Sequence, residues 1–445
     1  MTDKNVYFTT LGCSKNDVDT DVMRTILEKK NYNSVYSPDM ADIIVINTCG
    51  FIESAKEESI NEIFEMTQYK SQGDKKILVS GCLAQRYSNE LLEQIPEIDG
   101  ILGTGQIKNI EQYIAQLELG NKVNETGDID ADIEEGIFKT NANVSEYVKI
   151  GEGCNNFCSY CIIPKLRGRN RSRKIENIYK EVENLAKRGT REVILIAQNT
   201  TDYGIDNYGE HSLAKLVNKL EEIEELKWIR VLYLYPDNFT DDLIESFKNN
   251  KKLLPYVDIP LQHVNDEVLK NMNRSTNKKD IISLINKLRK EIPNIIIRST
   301  FIIGFPGETN EQFMELVDFL KEMKLDRVGV FEYSREEDTI AYNFDNQIDK
   351  KTKSDRKDYI MNVQEKISFE NMEGHLGQIL EVLVEEINDD VIVGRSYMDS
   401  PEIDGVVYIN TDEKVDNINI GEFVYVKIID VMEHDMIGEL YEFSK

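Results

Sequence analysis

The stretch GEGCNNFCSYCIIP, residues 151–164, places three of the six cysteines of the chain within eight residues. Cys154, Cys158 and Cys161 are surrounded by glycine and asparagine, which makes the stretch a poor core segment. Structural zinc usually takes four ligands, often in pairs, and no fourth cysteine or histidine lies nearby in the sequence. Three close thiolates fit an iron–sulfur cluster better, with one iron left free to bind another molecule. We call these residues the compact set.

The other three cysteines are far apart, but each follows an apolar run. Cys13 ends VYFTTLGC, Cys49 ends ADIIVINTC and Cys82 ends KKILVSGC. The runs predict the strands Val6–Thr10, Ile43–Asn47 and Ile77–Ser80, and helical stretches separate them. Such alternation predicts a parallel sheet, whose strand carboxyl ends form a ligand-binding crevice. We therefore expect the dispersed set, Cys13, Cys49 and Cys82, to meet in one crevice.

At 445 residues the chain is long enough for two or three domains. We predict an α/β multidomain protein: an N-terminal parallel α/β cluster domain over 1–120, a linker over 121–146, a second α/β domain over 147–365 and a small β domain over 376–445. Six strand-and-helix units in the second α/β domain predict an open or partial (β/α)6 barrel, with the compact set in the loop after its first strand. Short β-branched runs in the last segment predict a small antiparallel barrel or sandwich.

The chain is strongly acidic, with 53 basic and 81 acidic residues and a net charge of −28. Proteins that bind nucleic acid broadly carry a basic surface, so no broad nucleic-acid-binding face is expected. No apolar run approaches the roughly 18 residues that would span a membrane. The charged N-terminus leads directly into a strand, so we expect no signal peptide and a cytoplasmic protein whose cysteines stay reduced.

The GEGCNNFCSYC run resembles the signature of the radical S-adenosylmethionine (SAM) superfamily. The resemblance implies a [4Fe-4S] cluster on the compact set, SAM on its open iron and Tyr160 beside the adenine of SAM. The dispersed set and the C-terminal β segment narrow the resemblance to the methylthiotransferases, in which that segment is a TRAM domain. This family implies a second [4Fe-4S] cluster on Cys13, Cys49 and Cys82, and two SAM molecules consumed per product.

Several motifs resemble the branch of this family that modifies the β-carbon of an aspartate in small-subunit ribosomal protein twelve. They are LRGRNRSR, ILIAQNTTDYG, DIPLQHVNDEVLKNM, STFIIGFPGET, LDRVGVFEYS and GRSYMDSPEIDG. The last 70 residues carry 4 basic and 17 acidic residues, 4 − 17 = −13, which suits a basic protein partner. The resemblance also implies a low-potential electron donor of the flavodoxin or ferredoxin type.

Three other functions remain open from the residues. One is a tRNA adenosine methylthiotransferase that uses the same two clusters. The second is a non-catalytic iron–sulfur carrier or electron-transfer protein, and the third is a zinc-stabilised RNA-binding module. SAM cleavage by the reduced protein separates the enzymes from the carrier, and bound zinc would favour the last.

Further residues are candidates for the SAM pocket. By resemblance, Gln198 contacts SAM or lines its pocket, although it also reads as a polar strand end. Arg298 lies within an apolar strand and needs an anionic partner, either the SAM carboxylate or an internal Asp or Glu. Gly304 and Gly307 flank Phe-Pro, either as a tight turn or as backbone that approaches SAM closely. His263 is expected to be structural.

Six cations lie within residues 165–174, just after the compact set: Lys165, Arg167, Arg169, Arg171, Arg173 and Lys174. They form either a solvated run or a site for an anion. The target carboxylate and ribosomal RNA are the two candidate anions.

Overall fold

The computed structural model describes residues 4–131, 133, 135–139, 142–388, 391–410 and 418–441. The predicted linker and the predicted last segment therefore lie partly outside the described residues. The N-terminal part is one parallel sheet, in the order β2-β1-β3-β4-β5-β6. Its strands are β1 (Lys4–Thr10), β2 (Tyr32–Val35), β3 (Ile43–Thr48), β4 (Lys76–Ser80), β5 (Gly100–Leu102) and β6 (Val123–Glu125). Its helices are α1 (Ser14–Glu28), α2 (Glu53–Thr67), α3 (Gly81–Arg86), α4 (Ser88–Gln94) and α5 (Ile110–Glu118).

The three predicted strands are the centre of this sheet. β3 is buried along its whole length because helices cover both faces, which explains its unbroken apolar run. β2 and β5 are strands that we did not predict. β6, at Val123–Glu125, lies within the predicted linker and pairs with β5, so the sheet continues past residue 120.

The central part contains two three-stranded parallel sheets, β7-β10-β11 and β12-β13-β14. Their strands are β7 (Ser145–Lys149), β10 (Glu192–Ile196), β11 (Trp228–Val231), β12 (Tyr256–Asp258), β13 (Ile296–Ile303) and β14 (Arg327–Glu332), and a short ribbon pairs β8 (Gly151–Glu152) with β9 (Arg171–Ser172). A bridge between Ile229 and Leu253 joins the two sheets into the predicted partial barrel.

The helices of the central part follow its strands along the chain. They are α6 (Ile163–Arg167), α7 (Ile175–Lys187), α8 (Ile205–Tyr208), α9 (Leu213–Leu220), α10 (Asp241–Asn249), α11 (Asp266–Asn271), α12 (Lys278–Glu291), α13 (Asn310–Met323) and α14 (Lys350–Glu373). The apolar stripes of α7, α9, α10, α12 and α13 pack on the strands in one core. None of the described helices is long and apolar enough to cross a membrane.

The C-terminal part is a closed barrel in the order β15-β16-β17-β19-β18. Its strands are β15 (Ile379–Ile387), β16 (Val391–Ser396), β17 (Val407–Asn410), β18 (Phe423–Val431) and β19 (Met436–Leu440). The predicted small barrel is confirmed, with one difference: β17 and β19 pair in parallel, and this pair closes the barrel. Its core is continuous with inward-facing residues of the central barrel, among them Ile194, Ile196 and Ile296.

Candidate active site between the two cysteine sets

The dispersed set meets at the carboxyl ends of β1, β3 and β4, as the strand pattern predicts. Cys13 is exposed and precedes α1, whereas Cys49 and Cys82 are buried. Burial raises the pKa of the Cys49 thiol to about 11, and the neighbouring Cys82 and Cys13 raise it further. Gly12 has a φ of +104°, and a Cβ placed there would lie 3.0 Å from Cys49 Sγ. Glycine at this position therefore leaves room beside the three sulfurs.

The compact set lies in the loop between β8 and α6, above the carboxyl end of β7. Burial raises the pKa of Cys154 to about 11, and Cys158 is close enough to raise it further. Cys161 is half-buried, and burial together with the neighbouring Cys158 raises its pKa more strongly than that of Cys154. A positive charge, Arg274, is buried beside this set and lies over the ring of Tyr235, 4.1 Å from the centroid.

Each set offers three thiols that form no disulfide. Burial raises the pKa of Cys49, Cys82, Cys154 and Cys161, so a thiolate at these positions is favoured when a metal binds it. Among the described residues, no three His, Cys, Asp or Glu side chains are arranged around a single ion. A four-iron cluster spreads its ligands more widely, because each thiolate binds a different iron. The buried oxygen of the Gln198 side chain also has no hydrogen-bond partner in the described part of the chain. Both sets and Gln198 thus fit the cofactors that the sequence implies.

Arg167 connects the two sets. It ends α6, just after the compact set, and its Nε donates a hydrogen bond to Cys82 Sγ at 3.3 Å. Its other nitrogens bind Asp19 at 2.9 Å and Asn16 at 2.6 Å, both on α1. Cys82 also packs against Ile162 and Leu166 on the same side. The loop that carries the compact set is therefore fixed directly against the dispersed set.

Glu152 extends this network toward the barrel. It accepts hydrogen bonds from Arg167 at 3.1 Å, from Lys149 at 2.7 Å and from the amide of Gln198. Burial would raise the pKa of Glu152, but Arg167 and Lys149 lower it well below its ordinary value. Asp19 pairs with both Arg167 and Lys149, so two cations and two anions balance each other between the sets.

A cavity of about 250 Å³ opens between the N-terminal domain and the barrel. Phe51 and Ile52 line it from the N-terminal side, and Tyr160, Thr300 and Ile302 line it from the barrel. The lining is mostly apolar, as in pockets that bury an organic ligand.

A buried carboxylate closes one side of this cavity. Glu336 follows β14 and binds Arg86 at 2.7 Å and Lys56 at 3.1 Å, which belong to α3 and α2. These pairs hold the N-terminal sheet against the barrel mouth. They also bring the Cys49 loop close to Glu336, because Arg86 donates a hydrogen bond to the carbonyl of Gly50.

Three family models match the chain. Residues 148–320 match the radical SAM superfamily, residues 5–103 match the uncharacterized protein family UPF0004 and residues 376–440 match the TRAM domain. The chain is 49% identical over 438 residues to the ribosomal protein uS12 methylthiotransferase RimO of Thermoanaerobacter sp. (strain X514), covering 98% of this chain and 100% of the relative. The RimO protein of Clostridioides difficile (strain 630) is 48% identical, with 98% of each chain covered.

The chain belongs to the RimO family. Solved structures with a similar fold are more distant from this RimO-family chain in sequence. The radical SAM methyltransferase TsrM from Kitasatospora setae, solved with cobalamin and a [4Fe-4S] cluster, has a TM-score of 0.55 at 14% identity, covering 74% of this chain and 75% of TsrM. The cobalamin-dependent SAM radical enzyme OxsB has a TM-score of 0.53 at 12% identity, covering 81% of this chain and 56% of OxsB. These two likenesses concern the fold alone.

Arg298 has its anionic partner inside the RimO-family chain. It binds Asp258 at 2.9 Å and lies 3.5 Å from Asp404 of the C-terminal barrel. The sequence left two candidate anionic partners for Arg298, the SAM carboxylate and an internal Asp or Glu. The structure shows the second, an internal aspartate. A role in binding the SAM carboxylate stays a prediction without support from these contacts.

The two glycines around Phe305 have different surroundings. A Cβ on Gly304 would lie 2.2 Å from Cγ of Lys353, and its amide donates to Glu308 at 2.8 Å. Gly304 is thus required by the turn and by the contact with α14. Gly307 has a φ of +82° and nothing within 4 Å of such a Cβ, so the turn alone explains it. A contact of either glycine with SAM stays a prediction.

His263 is completely buried, and burial lowers its pKa to about 3. Its Nδ1 accepts a hydrogen bond from the amide of Asn265 at 3.0 Å, which orders the start of α11. A neutral, enclosed imidazole with this contact agrees with the structural role that we predicted.

The basic run over 165–174 is divided between the interior and the surface. Arg167 and Arg173 are buried and pair with internal carboxylates, Arg173 with Glu181. Arg171 binds Asp130 at 3.0 Å, and Lys165 is largely exposed, 3.6 Å from Asp338. The basic run is therefore neither wholly a solvated surface run nor wholly an anion site. The sequence analysis does not single out Arg167 from the other five cations of the run. Its position six residues after Cys161 and directly before Gly168 could have indicated a role near the cysteines.

Proposed function

We propose that this chain is a radical SAM methylthiotransferase that modifies the β-carbon of an aspartate in ribosomal protein uS12. The observation that carries the proposal is the hydrogen bond from Arg167, on the helix that follows the compact set, to Cys82 of the dispersed set. A reaction that joins a carbon radical to a sulfur group requires both centres at one cavity. The 49% identity to a RimO protein over nearly the whole chain supports the same conclusion.

The residues of the chain have separate tasks in this proposal. Cys154, Cys158 and Cys161 would hold one [4Fe-4S] cluster, and Cys13, Cys49 and Cys82 the other. When bound, the clusters and SAM supply the radical that activates an unreactive C–H bond and the methylthio group that replaces its hydrogen. Tyr160 and Gln198 would contact the bound SAM.

The charged network would keep the two sets at a fixed separation. Arg167, Glu152, Lys149 and Asp19 form ion pairs across the domain boundary, and each is at most 8% exposed. Buried, mutually bonded ions have few alternative arrangements, so the geometry is rigid. The apolar lining of the cavity would exclude water from the reactive centre.

A tRNA methylthiotransferase is the alternative within the same chemistry. The C-terminal 70 residues, with a net charge of −13, favour a basic protein over RNA, because phosphate repels such a surface. We further propose a flavodoxin- or ferredoxin-type electron donor, the use of two SAM molecules per product and action in the cytoplasm, where ribosomes are found.

Anaerobic reconstitution followed by mass spectrometry tests the proposal. The reconstituted protein, SAM and a reductant are incubated with uS12 or, separately, with tRNA. We expect uS12 to gain one methylthio group on an aspartate and tRNA to remain unchanged. Modification of tRNA alone would favour the alternative. Absence of SAM cleavage by the reduced protein would reject both and favour an electron carrier.

A further inference from the structure

Lys15 is a buried cation at the entrance to the barrel. It occupies the first turn of α1, two residues after Cys13. The residue is only 7% exposed, and its ammonium nitrogen lies 3.4 Å from the centroid of the Tyr233 ring. Such a short distance places the charge directly over the ring face, which is the favourable geometry for a cation.

The face of the Tyr233 ring attracts the Lys15 ammonium group but offers no oxygen acceptor for its N–H donors. A lysine ammonium has three N–H donors and is strongly hydrated in water, so its burial usually requires carboxylate or carbonyl acceptors. In the described part of the chain, Lys15 has neither a hydrogen bond nor an ion pair with a carboxylate. Lys149 and Arg167, buried nearby, each bind two carboxylates. Lys15 thus differs from the other buried cations of the site.

The surroundings of Lys15 place it between the dispersed set and the strand ends of the barrel. Tyr233 follows β11, and its carbonyl accepts a hydrogen bond from the amide of Thr200 at 3.1 Å. Thr200 comes two residues after Gln198, at the carboxyl end of β10. Asp19, one turn along α1 from Lys15, holds the Arg167 network. Lys15 therefore reaches from the dispersed set over the strand ends where barrel enzymes bind their substrates.

We propose that Lys15 binds the side-chain carboxylate of the substrate aspartate. The inference rests on the proposed function and adds a specificity residue to it. The carboxylate carbon of aspartate is bonded to the β-carbon, so holding one fixes the position of the other. Because Lys15 lies in the first turn of α1, two residues after Cys13, a carboxylate bound there has its β-carbon close to the dispersed set. The same contact rejects an asparagine, whose amide carries no charge.

The test compares binding of two forms of the ribosomal protein to the reconstituted holoenzyme. One form carries the target aspartate, and the other carries asparagine at that position. We expect the wild-type enzyme to bind the aspartate form about 10- to 100-fold more tightly, as a charge-assisted hydrogen bond provides. Lys15→Met should bind the two forms equally. Lys29→Met removes an exposed lysine from the end of the same helix and should keep the full preference.

A second measurement separates the two carboxylates that Lys15 could meet. SAM also carries one, and the reduced enzyme should cleave SAM slowly in the absence of uS12. We expect this cleavage, and SAM binding, to be unchanged in Lys15→Met. Loss of SAM binding with the aspartate preference retained would assign Lys15 to SAM and overturn the proposal. A wild-type enzyme that binds both forms of uS12 equally would also overturn it.

The outcomes also distinguish this proposal from the proposed function. If the wild-type enzyme modifies tRNA and not uS12, the function itself is wrong. If it modifies uS12 and Lys15→Met retains the aspartate preference, only the assignment of Lys15 is wrong. Lys15→Gln provides a second neutral variant should the methionine variant not fold, and the wild-type comparison of the two substrate forms needs no variant.

Discussion

Arg167 is a fully enclosed guanidinium whose partners come from three different parts of the chain. It binds Asp19 and Asn16 on α1, Glu152 on β8 and the sulfur of Cys82. A buried cation of this kind is stabilised only while all its partners are present. The consequence is that a single side chain supports both the packing of the domains and the environment of one cysteine set.

Replacing this guanidinium should therefore affect stability and cluster content together. Arg167→Met leaves Asp19 and Glu152 with one cation fewer in a buried position, and we expect a loss of about 3–5 kcal/mol in the free energy of unfolding. Urea denaturation of the iron-free protein measures this change. Arg169→Met, an exposed change in the same run, should alter stability by less than about 0.5 kcal/mol. Equal stability of the two variants would contradict the role of Arg167.

Gly12 offers a test of the dispersed set alone. In Gly12→Ala the new methyl group lies 3.0 Å from Cys49 Sγ, on a backbone with a φ of +104° that alanine rarely adopts. We expect reconstituted iron to fall by about half, because one of two [4Fe-4S] clusters is lost. Gly120→Ala has a similar φ of +82° with nothing within 4 Å, so it controls for backbone strain. Full iron content in Gly12→Ala would argue against a cluster at this position.

At this scale the sequence predicts where the cysteines lie but not which charges surround them. Each cysteine of the dispersed set follows an apolar run, and that order is readable from a single chain. The partners of Arg167 are separated from it by between 15 and 151 residues. No local pattern connects residues so far apart, and Lys15 is equally ordinary in its own sequence context.

At the scale of elements, β10 joins the central barrel to the C-terminal barrel through one buried carboxylate. Glu192 binds Arg230 at 2.8 Å on β11 and Arg395 at 2.5 Å on β16, and all three side chains are at most 2% exposed. Burial would raise the pKa of Glu192, but the two arginines lower it to about 2. The folded protein therefore binds this proton less readily than the unfolded chain does.

This shift predicts a pH-dependent difference between the wild type and Glu192→Gln. The ion pairs contribute about 3 kcal/mol above pH 5, and this contribution is lost as the pH falls toward 2. The wild type should be the more stable protein at pH 7, and the difference should shrink as the pH is lowered from 5 to 3 in urea titrations.

Glu381→Gln is the matched control, because its exposed pair with Lys227 lies at the same boundary. We expect this variant to change stability by less than about 1 kcal/mol at every pH. A difference for Glu192→Gln that stays constant from pH 7 to 3 would contradict the lowered pKa.

The elements themselves were mostly predictable. The six strand-and-helix units that we predict for the central barrel are present, because amphipathic helices alternate with its short apolar strands. β2, β5 and β6 were not, because each has only three or four residues and two of them are mostly exposed. These strands lie outside the three central strands of the sheet, and pairing with their neighbours stabilises them more than their own composition does.

For the whole molecule, Glu336 is a second contact, besides the Arg167 network, that holds the N-terminal domain on the barrel mouth. Its pairs with Arg86 and Lys56 are the ion pairs that border the cavity, and both Glu336 and Arg86 are at most 4% exposed. Loss of this charge should loosen the contact between domains and leave each cysteine set intact. Loss of the Glu336 charge should thus slow the transfer of the methylthio group, which needs both cysteine sets, more than it slows SAM cleavage at the compact set.

Glu336→Gln tests this coupling. We expect normal iron content and normal SAM cleavage, while methylthiolated uS12 falls by about 10- to 100-fold, the effect of a small misplacement of reacting groups. Both products are measured in one reaction by mass spectrometry. Glu337→Gln changes the exposed neighbouring residue and should behave as the wild type. A parallel fall of SAM cleavage and product would mean that Glu336 acts on the compact set instead.

The parallel pairing of β17 with β19 has a consequence for how the C-terminal barrel meets other molecules. A closed ring of strands has no unpaired edge, so its backbone amides and carbonyls are satisfied within the ring. A partner cannot extend such a sheet with a strand of its own, which is a common and weakly selective mode of association. Contact with this domain must depend on side chains and loops, where a change of one residue can alter the choice of partner without disturbing the ring.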